Sequence, residues 1–307
     1  MGTDPAGRLD LAWALRLVSY TYREEFGHPP SGIWQAPGTV TLLADGQQRL
    51  TVAAPWGAIA AAAPRRDGVV ELVHMNRPGE RVRLTAEEAA LGAGPSWAGA
   101  GLRPDRAGAA LLINTDLPEG SGVGAIAATQ SAVGLAIRDL TASGEPAGHR
   151  EPDSPGEGLA GSGSCTAALG DRRLPFDLGA AGLRLMVIDT RVRGATQPPI
   201  LERAPMAAAA AALEAGAFEA LGPMLTAAHA TLPCDDVQEI AVSAALGAGA
   251  LGARMIVDGP GRPVCALLPA RRLAEVRIAV AGAFARRRLR APRFLTLSPA
   301  HGPRRAA

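Results

Sequence analysis

The sequence contains no lysine, so all 31 of its basic residues are arginines. Any contact with phosphate must therefore come from arginine or from the backbone, and a lysine nucleophile is excluded. Aromatic residues make up only 4% of the chain, and the formal net charge is +2. These two values give no reason to expect a nucleic acid or a membrane surface as a partner. The basic run 286–290 is interpreted as the solvated end of a helix.

Cysteine is also scarce. Cys165, Cys234 and Cys265 are odd in number and lack the spacing of a disulfide framework or a metal site. We therefore expect reduced cysteines and no bound metal. The first residues include acidic side chains and no apolar segment, which argues against a signal peptide. The sequence also lacks an uninterrupted apolar run of the about 20 residues that a membrane helix needs. These absences predict a cytoplasmic protein.

At 307 residues the chain is long enough for two domains, and 48% of its residues are hydrophobic. Apolar periodicity predicts an N-terminal helix that ends before Gly27. Further helices are predicted at 125–140, 206–221, 237–248 and 271–288. Strands are predicted at 39–43, 50–63, 69–73, 80–84, 109–114, 183–189, 264–268 and 293–297. This order of elements predicts an α+β fold.

A glycine-rich segment, PEGSGVGAIAATQ, occupies residues 118–130. Its glycines allow a sharp turn into the predicted helix, and backbone N–H groups at such a helix start form an anion site. A kinase loop of this type usually also places serine hydroxyls on the phosphates. Here those positions hold Gly124, Ala125 and Ile126. Glycine-rich turns also occur for packing alone, and we favour that structural interpretation over tight nucleotide binding.

Three segments, in the same order along the chain, resemble the three motifs of galactokinases within the GHMP kinase superfamily. The first is FGHPPSGIWQAPGTVTLLADG at 26–46, and the second is the glycine-rich segment at 118–130. The third is GAGALGARMIVDGPGRPVCALLP at 247–269. The resemblance implies a two-domain α+β fold. Its N-terminal domain, 1–180, would contain a mixed sheet like domain 2 of ribosomal protein S5, and its C-terminal domain, 181–307, would be ferredoxin-like.

The residues that carry the chemistry in galactokinases differ in this chain. The resemblance places the family's motif-one arginine at Thr39 and its catalytic aspartate at Ser164, so no catalytic residue is intact. Phosphoryl transfer depends on positioning and on neutralising charge, and the loss of one electrostatic donor typically reduces the rate by ~10²–10³. The third motif replaces a glycine run with bulkier residues that include Asp258 and Pro260. Together these changes predict little remaining activity.

A few positions could still bind ligands. Gly120, Ser121, Gly122 and Gly124 would form a vestigial phosphate loop. For the sugar, the resemblance leaves a carboxylate at Asp45. Asp189 is the last residue of a predicted strand, at an end that would face the cleft. A simple turn residue is the favoured interpretation of Asp45. Asp189 could likewise be a simple cap at the end of its strand.

The sequence thus supports three functional hypotheses. The favoured one is a catalytically impaired pseudokinase of carbohydrate metabolism that binds a small ligand or a protein partner in the interdomain cleft. The alternative is an ATP-dependent kinase that converts galactose or a related sugar to its 1-phosphate with a rebuilt site. ATP and Mg²⁺ would then be its cofactors, and Asp45, Asp189 or Asp258 would supply the base or metal ligand. A structural partner of a true kinase is a third, less favoured hypothesis.

Overall fold

The computed structural model describes residues 12–99, 102, 108–117, 121–141, 166–192, 204–257, 261–297 and 302–307. These residues form two β-sheets with helices packed against them. The helices are α1 (Trp13–Phe26), α2 (Ala86–Ala90), α3 (Ala125–Thr141), α4 (Met206–Glu214), α5 (Leu221–His229), α6 (Asp236–Gly247) and α7 (Leu273–Arg286). The strands are β1 (Gly32–Ala44), β2 (Arg49–Arg65), β3 (Val69–His74), β4 (Arg81–Thr85), β5 (Gly108–Thr115), β6 (Thr166–Leu169), β7 (Arg172–Pro175), β8 (Leu183–Asp189), β9 (Gly252–Met255), β10 (Val264–Pro269), β11 (Arg293–Leu297) and β12 (Arg304–Arg305).

The first sheet consists mainly of antiparallel pairs. Its strands run in the order β12-β1-β2-β5-β3-β4, and β6 with β7 extends from β2. Strand β3 lies parallel to β5 and makes the sheet mixed. The register of β1 on β2 shifts between Pro37 and Thr39, which indicates a β-bulge. This irregularity lies just before the part of β1 that contains the candidate site.

Two helices cover opposite faces of the first sheet, because successive side chains of a strand point to opposite faces. Leu15, Val18 and Tyr22 of α1 are buried in one apolar cluster with Ile33 of β1. The next residue, Trp34, belongs to the large cluster on the other face, where α3 packs against β1 and β2. The sheet is therefore covered on both sides.

The second sheet has the antiparallel order β11-β8-β10-β9. Met186 and Ile188 of β8 are buried under α6 and α7 in a separate cluster. Leu185 and Val187, which alternate with them, belong to the same large cluster as the first sheet. Strand β8 is thus buried on both faces, which explains its continuous apolar sequence.

The predicted α+β class is confirmed, and most predicted elements are present within a few residues of the expected bounds. The prediction of one long helix was wrong. The predicted helix 206–221 ends at Glu214, and α5 begins only at Leu221. Gly216 has a φ of 69°, a left-handed conformation that terminates helices. The two predicted helices 237–248 and 271–288 correspond to α6 and α7.

Several short elements were missed by the sequence analysis, namely α2, β6, β7, β9 and β12. Each is only two to five residues long. Such segments carry too few residues for a periodic signal, and tertiary pairing stabilises them instead. Within the described parts of the chain, none of the helices has the length and apolar character needed to cross a membrane.

Candidate functional site

The glycine loop before α3 lies directly against strand β1. Its described part begins at Ser121, because Gly120 falls outside the described residues. Gly122 and Gly124 have φ values of 71° and 67°, a left-handed backbone that glycine adopts readily. A Cβ atom on Gly124 would lie 3.0 Å from Thr39 Oγ1 and 3.1 Å from the Thr39 amide nitrogen. The loop therefore packs on the strand position where the resemblance places the family's arginine.

The first turn of α3 offers backbone N–H groups rather than hydroxyl groups. It begins with Ala125 and Ile126, and the Ile126 side chain is 46% exposed. Thr129, one turn later, donates its hydroxyl hydrogen to the Ala125 carbonyl at 3.0 Å. The Ser121 hydroxyl is buried and has no hydrogen-bond partner among the described residues. Any phosphate binding here would depend on backbone amides and Ser121.

Asp45 closes the turn between β1 and β2. Its Oδ1 accepts hydrogen bonds from the backbone N–H groups of Gln47 and Gln48, at 3.1 and 2.7 Å. Its own N–H donates to the Gln48 carbonyl at 3.1 Å. These contacts are those of an aspartate that stabilises a turn. These hydrogen bonds explain the presence of the Asp45 carboxylate without any bound ligand. A role of Asp45 in sugar binding stays a prediction.

Asp189 lies at the end of β8 and is 1% exposed. Its Oδ1 accepts a hydrogen bond of 2.9 Å from the backbone N–H of Arg191, a residue with a φ of 61°. A left-handed arginine is strained, so this bond helps to hold the chain as it leaves the sheet. Substrate binding by Asp189 likewise stays a prediction.

Arg254 on β9 connects the second sheet to β1, and sequence analysis did not single it out. Its side chain is fully buried. It donates from a terminal guanidinium nitrogen to the Leu42 carbonyl and from Nε to the Met255 carbonyl, each at 2.9 Å. The signal available in the sequence was a charged residue within the otherwise apolar run around β9. This arginine fixes the segment of β1 that leads to Asp45 against the second sheet.

A cavity of about 300 Å³ opens on the α1 side of the first sheet. Trp56, Gly57, Asp116 and Arg304 contribute to its lining. The Asp116 carboxylate accepts the Gly57 N–H at 2.6 Å, and burial raises its pKa. Asp116 thus acts as the simple cap at the end of β5. The cavity lies beside β1, β2 and the start of α1.

A second group of polar side chains gathers where α5, α6 and β9 meet. His229 Nδ1 lies 3.5 Å from Cys234 Sγ, and His229 Nε2 lies 3.2 Å from Glu239 Oε1. Burial lowers the pKa of His229. Burial also raises the pKa of Cys234 to about 11, and the nearby Glu239 and Asp235 carboxylates act in the same direction. Local sequence patterns do not indicate this cluster, because its three residues are five positions apart and belong to α5, α6 and the connection between them.

The chain is similar in sequence and in fold to known kinases. A galactokinase of Streptomyces coelicolor is 27% identical over 378 residues, which cover 94% of this chain and 97% of the relative. The structure of Lactococcus lactis galactokinase complexed with galactose matches with a TM-score of 0.76 and 18% identity, covering 95% of this chain and 99% of that one. The chain is thus similar to galactokinases over nearly its whole length. No protein-family model matches it.

The fold of this chain is that of GHMP kinases, as the sequence resemblance implied. A mevalonate kinase from Methanococcus jannaschii matches with a TM-score of 0.56 and 11% identity, covering 88% of this chain and 98% of that one. The alignment of 378 residues with the Streptomyces protein is longer than this chain, which has 307. The Streptomyces galactokinase therefore contains segments that have no counterpart here.

Two positions within the segments that resemble galactokinase motifs make structural contacts in this chain. Gln130, where the resemblance places a motif glutamate, donates its amide to the Ser96 carbonyl at 2.9 Å. Ile256, within the altered third motif, is fully buried in the large apolar cluster. Ser164 and Asp258 lie outside the described residues. Their assignments, like those of the phosphate-loop residues, stay predictions.

Proposed function

We propose that this galactokinase relative is a pseudokinase. It keeps the GHMP kinase fold, does not phosphorylate galactose at an ordinary rate, and binds a small ligand or a protein partner in its cleft. That cleft would lie between an N-terminal domain of residues 1–180 and a C-terminal domain of residues 181–307. The proposal also places the protein in the cytoplasm and in carbohydrate metabolism.

The contact between Gly124 and Thr39 is the observation that carries this proposal. The backbone before α3 turns as it does in a phosphate loop. The neighbouring strand β1, however, presents only the short, uncharged hydroxyl group of Thr39. The chain therefore places no arginine side chain at this point of β1 to neutralise the charge that develops during phosphoryl transfer. The first turn of α3 adds Ala125 and Ile126, whose side chains cannot bind phosphate or a metal ion. Both changes remove transition-state stabilisation while leaving the fold intact.

The decisive experiment measures ADP release by the purified full-length chain with galactose, ATP and Mg²⁺. The Streptomyces coelicolor galactokinase, assayed in parallel, provides the positive control. We expect a rate at least ~10⁴-fold below that control, because the loss of the base removes a factor of ~10²–10⁴ and the loss of the arginine a further ~10²–10³. A rate within about tenfold of the control would overturn the proposal.

Ligand binding is tested separately by thermal denaturation with ATP–Mg²⁺, with galactose and with both. A ligand at a hundredfold excess over its dissociation constant stabilises the folded state by ~2.7 kcal/mol. A shift with galactose alone would support a sugar-binding pseudokinase. A chain that no small molecule stabilises would point instead to a protein partner, which can be sought by co-purification with a true kinase.

The alternative function, an ATP-dependent sugar kinase with a rebuilt site, depends on a carboxylate acting as base or metal ligand. Asp45 is the described candidate that lies only half-buried near the end of β1. If it serves catalysis, Asp45→Asn reduces the rate of ADP release by ~10²–10⁴. Asp177→Asn is the matched control, because Asp177 stabilises a turn in the same way, accepting the Ala180 N–H at 3.0 Å. Equal activity of the two variants would eliminate Asp45 as the base.

A further inference from the structure

Two opposite charges line the cavity beside β1 and β2 without pairing with each other. The cavity has a volume of about 300 Å³, which is the size of a small-molecule site. Asp116 and Arg304 both contribute to its lining. Among the described residues, neither side chain forms an ion pair with the other or with any further group. The cavity therefore contains one carboxylate without a cation and one guanidinium without an anion.

The Asp116 carboxylate uses only one of its oxygens for contacts within the protein. Its Oδ1 accepts the Gly57 N–H at 2.6 Å, and the described part of the chain offers Oδ2 no hydrogen bond. Burial raises the pKa of this carboxyl, and no arginine lies close enough to lower it. A partly desolvated carboxylate is stabilised by a positive partner, so a ligand with an ammonium group suits Oδ2.

Arg304 contributes the positive charge from the other side of the cavity. It lies opposite Gln35 in the register of β12 on β1, and a terminal guanidinium nitrogen is 3.5 Å from Gln35 Oε1. That distance is at the outer limit for a hydrogen bond, so most of the guanidinium donors remain available. A planar guanidinium with free donors is well suited to bind a carboxylate through two parallel hydrogen bonds.

The separation of the two charges limits the length of the ligand. Strand β12 is three intervals from β5, and Asp116, which bonds to Gly57, is offset from Arg304 by two residues along the strands. The two Cα atoms are thus about 16 Å apart. An α-amino acid with a hydrogen bond at each end spans about 9 Å. The aspartate and arginine side chains cover the remainder.

We propose that this cavity binds one free α-amino acid with an apolar side chain. The ligand ammonium group donates to Asp116 Oδ2, and the ligand carboxylate accepts from Arg304. Trp56 and Pro37 also line the cavity and supply apolar surface for the ligand side chain. A simple amine or a simple carboxylic acid would leave one of the two protein charges unpaired, so the dipolar ligand binds more tightly.

The site adjoins the segments that hold the glycine loop. Asp116 directly follows β5, at the end that leads to the loop, and Pro37 lies at the β-bulge just before Thr39. A bound amino acid would therefore contact both strand ends next to the contact between Gly124 and Thr39. The proposal requires no kinase activity, so it is tested separately from the pseudokinase proposal.

The test measures binding of L-leucine and L-phenylalanine to the full-length chain by isothermal titration calorimetry. We expect one site per chain for the more tightly bound of the two. The amide of that amino acid lacks the carboxylate and its N-acetyl derivative lacks the ammonium group, so each should bind ~10–100-fold more weakly. Asp116→Asn and Arg304→Gln should each weaken binding of the unmodified amino acid by the same ~10–100-fold.

The variants and the derivatives should also correspond in pairs. Arg304→Gln should not weaken binding of the amide further, and Asp116→Asn should not weaken binding of the N-acetyl derivative further, because the contact in question is already absent. Arg305→Gln is the matched control and should bind as the native chain does. Arg305 is the neighbouring arginine of β12, and its guanidinium donates to the Ser31 carbonyl at 2.9 Å.

The proposal is overturned if neither amino acid binds, if both derivatives bind as tightly as the unmodified amino acid, or if Arg304→Gln binds like the native chain. Circular dichroism establishes whether each variant is folded. If Asp116→Asn fails to fold, Arg304→Gln decides the question, because the exposed Arg304 side chain can be changed without disturbing the core.

Discussion

Replacing Gly252 with alanine tests how closely α5 and β9 must approach. A Cβ atom on Gly252 would lie 2.5 Å from Gly222 Cα and closer still to the Gly222 carbonyl. A Cβ on Gly222 would in turn lie 2.5 Å from the Leu251 carbonyl oxygen. Carbon atoms normally pack at about 3.5–4.0 Å, so the two backbones would have to separate by about 1 Å. Overpacking a core usually costs ~1–3 kcal/mol, and a clash with rigid backbone should reach the upper end of that range.

Urea denaturation followed by far-ultraviolet circular dichroism measures this effect. We expect Gly252→Ala to lower the free energy of unfolding by about 3 kcal/mol. Gly247→Ala provides the matched control, because Gly247 lies in α6 and an added Cβ there would meet no atom within 4 Å. That variant should be stabilised, by up to about 1 kcal/mol, through its higher helix propensity. Equal stability of the two variants would refute the close approach of α5 and β9.

Three further changes have defined outcomes. Gly124→Ala forces a side chain into a left-handed conformation and towards Thr39, so urea denaturation should show a loss of ~1–3 kcal/mol, which Thr39→Ala would relieve only in part. Thr85→Ala removes the capping box of α2 and should lower stability by ~1 kcal/mol in the same assay; no change would mean that α2 does not contribute. The Trp97 indole N–H bonds to Glu80 at 2.8 Å and lowers the pKa of that carboxyl. The charged form is thus favoured on folding, so the native chain should be more stable than Glu80→Gln at pH 7. This difference should vanish as the pH falls through the lowered pKa of Glu80, and a difference that persists when the carboxyl is protonated would contradict it.

Local sequence patterns predicted most of the longer elements correctly. The apolar run of β8 and the period of α1 were sufficient because burial imposes those patterns directly on the sequence. The predicted helix 206–221 failed because its alanine-rich composition favours a helix throughout. A single glycine can be tolerated inside a helix, so the sequence does not show whether the helix continues past Gly216 or ends there. The left-handed backbone of Gly216 shows that α4 ends.

The candidate site was harder to predict than the fold. The turn role of Asp45 was the favoured interpretation, because an aspartate beside Gly46 is a local signal, and the structure supplies the hydrogen bonds. Arg254 and Cys234 could not be assigned in this way. Their partners lie on other elements, and a residue's distant neighbours are not encoded in its local sequence.

The sequence by itself determined the α+β class and the resemblance to galactokinases, and it predicts that charged and hydroxyl-bearing motif residues of that family are replaced in this chain. Those conclusions depend on residue identity, which folding does not change. Tertiary structure alone decided that Gly124 packs on Thr39, that Arg254 joins the second sheet to β1, and that His229 meets Cys234 and Glu239. The physical reason is that each of these contacts joins separate elements whose approach is set by the packing of both sheets, and no local pattern specifies that distance.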